Sequence, residues 1–263
     1  MNINLKEIFL EIKEKHQILF DENIPINEKK IYANFVSKKI PEYITKSFNN
    51  KRYIISASVG KGIYTKCPWI AFLDNTITDT PQQGFYVVYL FSYDMKYVNL
   101  SLNQGVQHLI QEYKSDSKEI LKTRAIDFRN KIDPEVLNSN KNINTSINLS
   151  IPDKVKTIGK NYEPGNIISI KYDLNNLPSN DSLTSDLGLF IQLYQSLVYN
   201  EPEFMDEYNF NIKKSSQKNL TNEERRAEDE NYIIEKKKAR LHLRIERSSN
   251  VSRLVKKNRK PIC

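Results

Sequence analysis

The sequence predicts an α+β fold: a mainly antiparallel or mixed sheet flanked by helices, followed by a basic helical extension. Three observations predict it. Two helix-period segments open the chain, four strand-like runs follow with only turns between them, and the positive charge gathers beyond residue 210. Consecutive strands joined by turns pair antiparallel, whereas a doubly wound fold alternates strand with helix.

Residues 3–20 put Leu5, Ile8, Phe9, Ile12 and Leu19 near one helical face. Residues 27–48 repeat the pattern with Ile31, Phe35, Ile40 and Ile44. Asn27 is placed to cap that segment, and Pro41 to kink or divide it. The period then becomes that of strands. Arg52–Val59, Trp69–Leu73, Gly84–Phe91 and Tyr97–Leu102 are β-branched and aromatic runs. The glycine pair Gly60 and Gly62, the Asp74–Gly84 loop and Ser92-Tyr93-Asp94 separate them. A helical stretch follows Asn103-Gln104-Gly105 to about Lys131. Asn138–Asn148 (NSNKNINTSIN) is asparagine-rich and reads as a loop. Gly165–Tyr172 reads as a strand. Asn180–Tyr199 reads as a helix opened by Ser or Asp caps, with Leu183, Leu187, Phe190, Ile191 and Tyr194 along it. The compact domain is expected over residues 1–200 and a charged, basic helical extension over 201–263. In the extension, Thr221-Asn222-Glu223-Glu224 is a capping-box signature for a helix to about Arg247, and Val251–Lys260 suits one more short helix.

Hydrophobic content of 39% and charged content of 27% are ordinary for a soluble protein. The opening MNINLKEIFLEIKEKH lacks the apolar core of a signal peptide. No apolar run approaches the ~20 residues of a membrane span, so no membrane partner is expected. Cys67 and Cys263 form no disulfide framework, which fits a reducing cytoplasm. With only His16, His108 and His242 beside them they make no zinc set, and no cofactor is called for. The net charge of +8 is unevenly placed: residues 211–263 hold 16 Lys and Arg against 7 Asp and Glu, and residues 1–210 hold 24 against 25. A basic tail suits nucleic acid or another polyanion, and equally a solvated charged helix.

The stretch SASVGKGIYTKCPWIAFLD (residues 56–74) raises a nucleotide-binding question. A phosphate loop needs G-x-x-x-x-G-K-[ST] opening a helix. Here strand-forming residues follow, and a third glycine for a dinucleotide fingerprint is missing, so the turn joins strand to strand. Enzyme readings fare poorly. No nucleophile–base pair or metal-hydrolase motif stands out, and Glu235-Lys236-Lys237 lacks the partner strand of a nuclease core. Asp74, Asp79 and Asp94 fit turns.

Three segments carry a resemblance: SVGKGIYTKCPWIAFLD, GFYVVYLFSYDMKYVNLSLNQG and IGKNYEPGNIISIKYDLNNLP. Together they resemble the N-terminal DNA-binding domain of McrB-type modification-dependent (type IV) restriction proteins, over roughly residues 3–200. The resemblance implies a domain that recognises methylated cytosine in double-stranded DNA and flips the modified base into a pocket. Cleavage would come from elsewhere, through a GTPase ring that recruits a nuclease subunit or through a fused HNH nuclease. The tail KKKARLHLRIERSSNVSRLVKKNRKPIC resembles the connector before such an HNH domain, with Cys263 where a Cys-x-x-Cys half-site would begin. On that reading the chain is a truncated product or a separate specificity half. One alternative is a fragment of an HNH-fused endonuclease lacking its catalytic core. Another, of a different class, is an RNA or single-strand binding module.

The resemblance also implies site residues. Trp69, Tyr86, Leu90 and Tyr162 match the family's pocket residues. By their own pattern, Trp69 equally packs a core, Tyr86, Val88 and Leu90 form an inward-facing strand row, and Tyr162 sits in a glycine-flanked loop. The turn Gly60-Lys61-Gly62 with Tyr64 corresponds to the loop that enters the DNA where the base leaves. Lys61 stands where the family's best-known member has an aromatic, so a phosphate or groove contact suits it better, and a plain hairpin turn is the bland alternative. Candidate phosphate contacts are Lys51, Arg52, Lys61 and Lys66. Lys236, Lys237, Lys238, Arg240, Arg244, Arg247, Arg253, Lys256 and Lys257 in the tail would add salt-dependent affinity.

Overall fold

The computed structural model describes residues 3–60 and 62–200. Lys61 and everything expected of residues 201–263, including the basic cluster and the resemblance to an HNH connector, lie outside the described residues. Helix α1 (Leu5–Lys15) runs into a 3-10 turn, His16–Leu19. Helix α2 (Ile26–Asn34) continues through one π turn, Phe35–Lys39, into α3 (Ile40–Phe48). Pro41 near the start of α3 has no N–H to donate, and the wider turn before it lets the chain stay helical. Asn27 does not cap α2. The N-cap is two residues earlier, Pro25, whose carbonyl accepts from the N–H groups of Glu28 and Lys29.

Strands β1 (Tyr53–Ser58), β2 (Trp69–Asp74), β3 (Phe85–Phe91) and β4 (Tyr97–Gln104) follow in sequence. After α4 (Gln107–Tyr113), α5 (Ser117–Asn130) and α6 (Pro134–Ser139) come a two-residue strand β5 (Ile143–Asn144) and β6 (Asn166–Asp173). Helix α7 (Asn180–Asn200) completes the described chain, with the Ser179 hydroxyl accepting from the Ser182 N–H at its start. The sheet order is β1-β2-β3-β4-β6-β5 and every pairing is antiparallel. The α+β expectation therefore holds. The asparagine-rich stretch is only partly a loop: it holds the end of α6 and the edge strand β5, too short to show a period.

The register gives the sheet two unlike faces. One row runs Ile55, Phe72, Val87, Leu102 and Ile168, and the rows beside it bring Tyr89, Phe85 and Phe91 to the same side. This face is the core. Phe9 of α1 meets Tyr89 with ring centres 4.7 Å apart, and Tyr194 of α7 meets Phe85 at 5.1 Å. The opposite face carries Ser56, Ala71, Val88, Ser101 and Ser169 in one row and Ser58, Trp69, Leu90 and Asn99 in the next. It is polar at its margins and apolar at its centre, and the site lies there.

At the far end of β1 the chain places an ion pair. Arg52 Nε donates to Asp74 Oδ2 at 2.6 Å, and Asp74 is fully buried. The Asp74 backbone N–H donates to the Tyr194 hydroxyl, tying this corner to α7. Arg52 is thus committed to a structural partner and not presented to a phosphate. Replacing one member of a buried pair strands the other charge, which typically costs about 3–5 kcal/mol. Arg52→Met is expected to lower stability by roughly that amount in urea melts, while Lys51→Met, at an exposed position, leaves it unchanged within about 0.5 kcal/mol.

Candidate functional site

A cavity of about 790 Å³ opens on the polar side of the sheet. This lies within the ~300–1,000 Å³ typical of small-ligand sites. Its floor is the centre of that face. Tyr86, Val88 and Leu90 of β3 project into it at two-residue spacing, beside Trp69 of β2 and Ser56 and Ser58 of β1. Trp69 is the direct cross-strand neighbour of both Ser58 and Leu90. The Tyr86 hydroxyl donates to the Pro81 carbonyl oxygen at 2.8 Å, which fixes its ring against the 74–84 loop.

Tyr162 enters from the long connection between β5 and β6. A short 3-10 helix, Ile158–Asn161, precedes it, and the Asn103 side-chain amide donates to its carbonyl oxygen at 3.0 Å. The ring packs against Val106, Leu109 and Leu121 while facing the cavity. Burial, then the nearby Cys67, raises the phenol pKa to about 12, so the hydroxyl stays a neutral donor. Cys67 itself is buried and unpaired, with its pKa pushed up to about 12 by burial, then by Glu163 and Asp94. A thiol in that state is inert.

The glycine loop forms another wall. Gly60 has φ +102°, and a Cβ there would collide with the Ile63 carbonyl oxygen, so the position requires glycine. The Thr65 N–H closes the loop onto the Val59 carbonyl at 2.8 Å. Gly60 and Tyr64 line the cavity; Gly62, with φ +84°, is exposed and does not. Ile63 also lines the cavity and is 85% exposed. Sequence reasoning passed over it because Ile-Tyr-Thr looks like the start of a strand. An apolar residue between a glycine turn and an aromatic was the available signal.

The loop is anchored from below by a buried histidine. His16 Nε2 donates to the Thr65 carbonyl oxygen at 2.8 Å, which leaves Nδ1 to accept from the Tyr32 hydroxyl at 3.4 Å. Burial lowers the His16 pKa from 6.5 to about 4, with the bond to Thr65 opposing the shift and the Lys66 ammonium adding to it. Lys66 lies over the rings of Phe20 and Tyr93, at 5.2 and 5.1 Å from their centres.

Trp69, Tyr86, Leu90 and Tyr162 therefore share one cavity with Gly60 and Tyr64. Of the candidate phosphate contacts, the three among the described residues, Lys51, Arg52 and Lys66, do not line it. Lys51 and Arg52 precede β1, and six residues of strand separate them from the loop by about 20 Å. The lining holds no carboxylate, and Lys156 is the one charged side chain among the described residues that line it. Gln82, Gln107 and Ile158 complete the rim. Such a chamber offers aromatic surface and neutral hydrogen-bonding groups.

The fold and site together define a binding domain: a two-faced antiparallel sheet that holds an aromatic-walled chamber on its polar side. The family model described as MrcB-like, N-terminal domain matches residues 17–199. The chain belongs to this family of McrB-type N-terminal domains, and as such it is a DNA-binding domain of a restriction system. No curated protein matches the chain. Among the described residues, no helix is long and apolar enough to cross a membrane.

The histidine anchor gives a testable pH dependence. Between about pH 6.5 and 4 the unfolded chain binds a proton at His16 that the folded chain refuses, so stability falls as pH falls through that window. The expected loss is on the order of 3 kcal/mol. Urea melts of wild type and His16→Gln across pH 7 to 4 check it: the variant is less stable at pH 7, and its stability falls less steeply towards pH 4.

Proposed function

We propose that the cavity receives a modified cytosine extruded from double-stranded DNA. The observation that carries the reading is the convergence of Trp69, Tyr86 and Tyr162, from three separate parts of the chain, on one chamber with Val88 and Leu90 in its floor. Extrusion costs a few kcal/mol of unstacking and unpairing, and stacking on an aromatic wall returns ~1–3 kcal/mol per base. Trp69 and Tyr162 are the stacking walls. Leu90 and Val88 supply the apolar contact for a 5-methyl group, and one such group in a fitted pocket is worth ~1–3 kcal/mol. Neutral donors and acceptors suit the uncharged edge of the base.

The Gly60 loop, with Ile63 and Tyr64 at the mouth, enters the duplex where the base has left. An apolar side chain between base steps is a known way to hold a kinked or opened duplex. Lys61 and the basic residues of the tail add phosphate contacts. Binding is the chemistry of this domain, and a nuclease or GTPase-driven partner cuts the DNA.

Fluorescence-polarisation titrations at one fixed salt concentration test this, using identical duplexes with cytosine, 5-methylcytosine or 5-hydroxymethylcytosine. A modified duplex is expected to bind at least about tenfold tighter, or ~1.4 kcal/mol. Trp69→Ala is expected to remove that preference, and Leu90→Ala to reduce it most for the methyl form. Equal affinity of wild type for all three duplexes sinks the modified-base reading.

A further inference from the structure

One more segment reaches the rim of the cavity with exposed side chains. Lys156, Thr157 and Ile158 line the cavity, and Ile158 is 41% exposed. Lys154 and Lys156 are both exposed, and neither is bonded to another described residue. Lys160 differs: its ammonium donates to the Asp153 carbonyl oxygen at 2.6 Å. The segment is rooted at both ends. The Tyr93 N–H donates to the Leu149 carbonyl at 2.7 Å, and the Leu149 N–H donates to Glu163 Oε1 at 2.8 Å. At the other end Asn103 holds the Tyr162 carbonyl. In between, the Val155 N–H closes a turn onto the Pro152 carbonyl at 3.0 Å, and the Thr157 hydroxyl caps the 3-10 helix.

Two unengaged ammonium groups and an exposed isoleucine thus stand on a braced frame beside a cavity without carboxylates. A braced frame loses little further freedom when it meets a ligand. Surface lysines are common, but Lys156 lines the chamber itself, and Lys154 lies two residues before it on the same braced segment. None of the candidate phosphate contacts named from the sequence lies in this segment.

We infer that residues 152–161 form a second duplex-binding limb. Lys154 and Lys156 neutralise backbone phosphates of the duplex whose base enters the cavity, and Ile158 packs against the sugar edge between them. This rests on the reading that the cavity serves duplex DNA. The limb positions the duplex and carries no base readout of its own, because phosphates are alike in every sequence.

The test is the salt dependence of binding by the full chain, measured by polarisation on both the cytosine and the 5-methylcytosine duplex. Each neutralised phosphate contributes about 0.9 to the slope of log K against log salt concentration. Lys154→Ala/Lys156→Ala is expected to lower the slope by about 2 on both duplexes. Lys38→Ala/Lys46→Ala, an exposed pair on the π turn and α3, removes the same charge and is expected to leave the slope unchanged. An unchanged slope in the first variant overturns the limb, and so does an equal fall in the second. Absence of any preference for 5-methylcytosine counts against the base reading alone, since the slope comparison stands on either duplex.

Discussion

The cavity depends on the sidedness of the sheet, and sidedness depends on register. Side chains alternate along a strand, so a slip of one residue would exchange the faces. In β3 all seven residues are buried, yet Phe85, Val87, Tyr89 and Phe91 face the helices while Tyr86, Val88 and Leu90 face the chamber. The register is held by the aromatic contacts of Phe9 and Tyr194 on the core side, and by the Arg52–Asp74 corner at the end of β1 and β2. The site is therefore the reverse side of the hydrophobic core. A substitution that loosens the core face moves the floor of the cavity as well.

On that floor stand two kinds of wall. The glycine loop is short, needs glycine at position 60, and hangs from the Val59 carbonyl and from His16. The Tyr162 segment is longer and is fixed by a side-chain amide and a carboxylate: Asn103 at one end, Glu163 at the other. Both place an exposed isoleucine at the mouth, Ile63 and Ile158, over a lining of aromatic and neutral polar groups. A rigid frame with adaptable, partly exposed tips suits a ligand that must first leave its own stack. Burial holds both Cys67 and Tyr162 protonated.

Much of this was legible in the sequence, and the failures have physical causes. The main strands and the long helices appear within a residue or two because their periods are strong. Tyr86, Val88 and Leu90 were placed on one side by alternation alone. Lys51 and Arg52 were set near the loop because they are close in sequence, although a strand of six residues intervenes. The contacts of Lys66 with the rings of Phe20 and Tyr93 join distant segments, so no local pattern announces them. The edge strand β5 has two residues and so no period to read. Ile63 has one local signal, its place between a glycine turn and an aromatic, but its pattern reads first as a strand; nothing local tells Lys156 from any other lysine.

The central claim is that the chamber holds a base taken out of the duplex. The most direct measurement is a crystal structure of the full chain with a short duplex carrying a single 5-methylcytosine. The account predicts that base outside the helix, stacked between Trp69 and Tyr162 with its methyl group against Leu90, and the Gly60 loop in the gap it left. A duplex bound with every base stacked and paired, and nothing in the chamber, would contradict it.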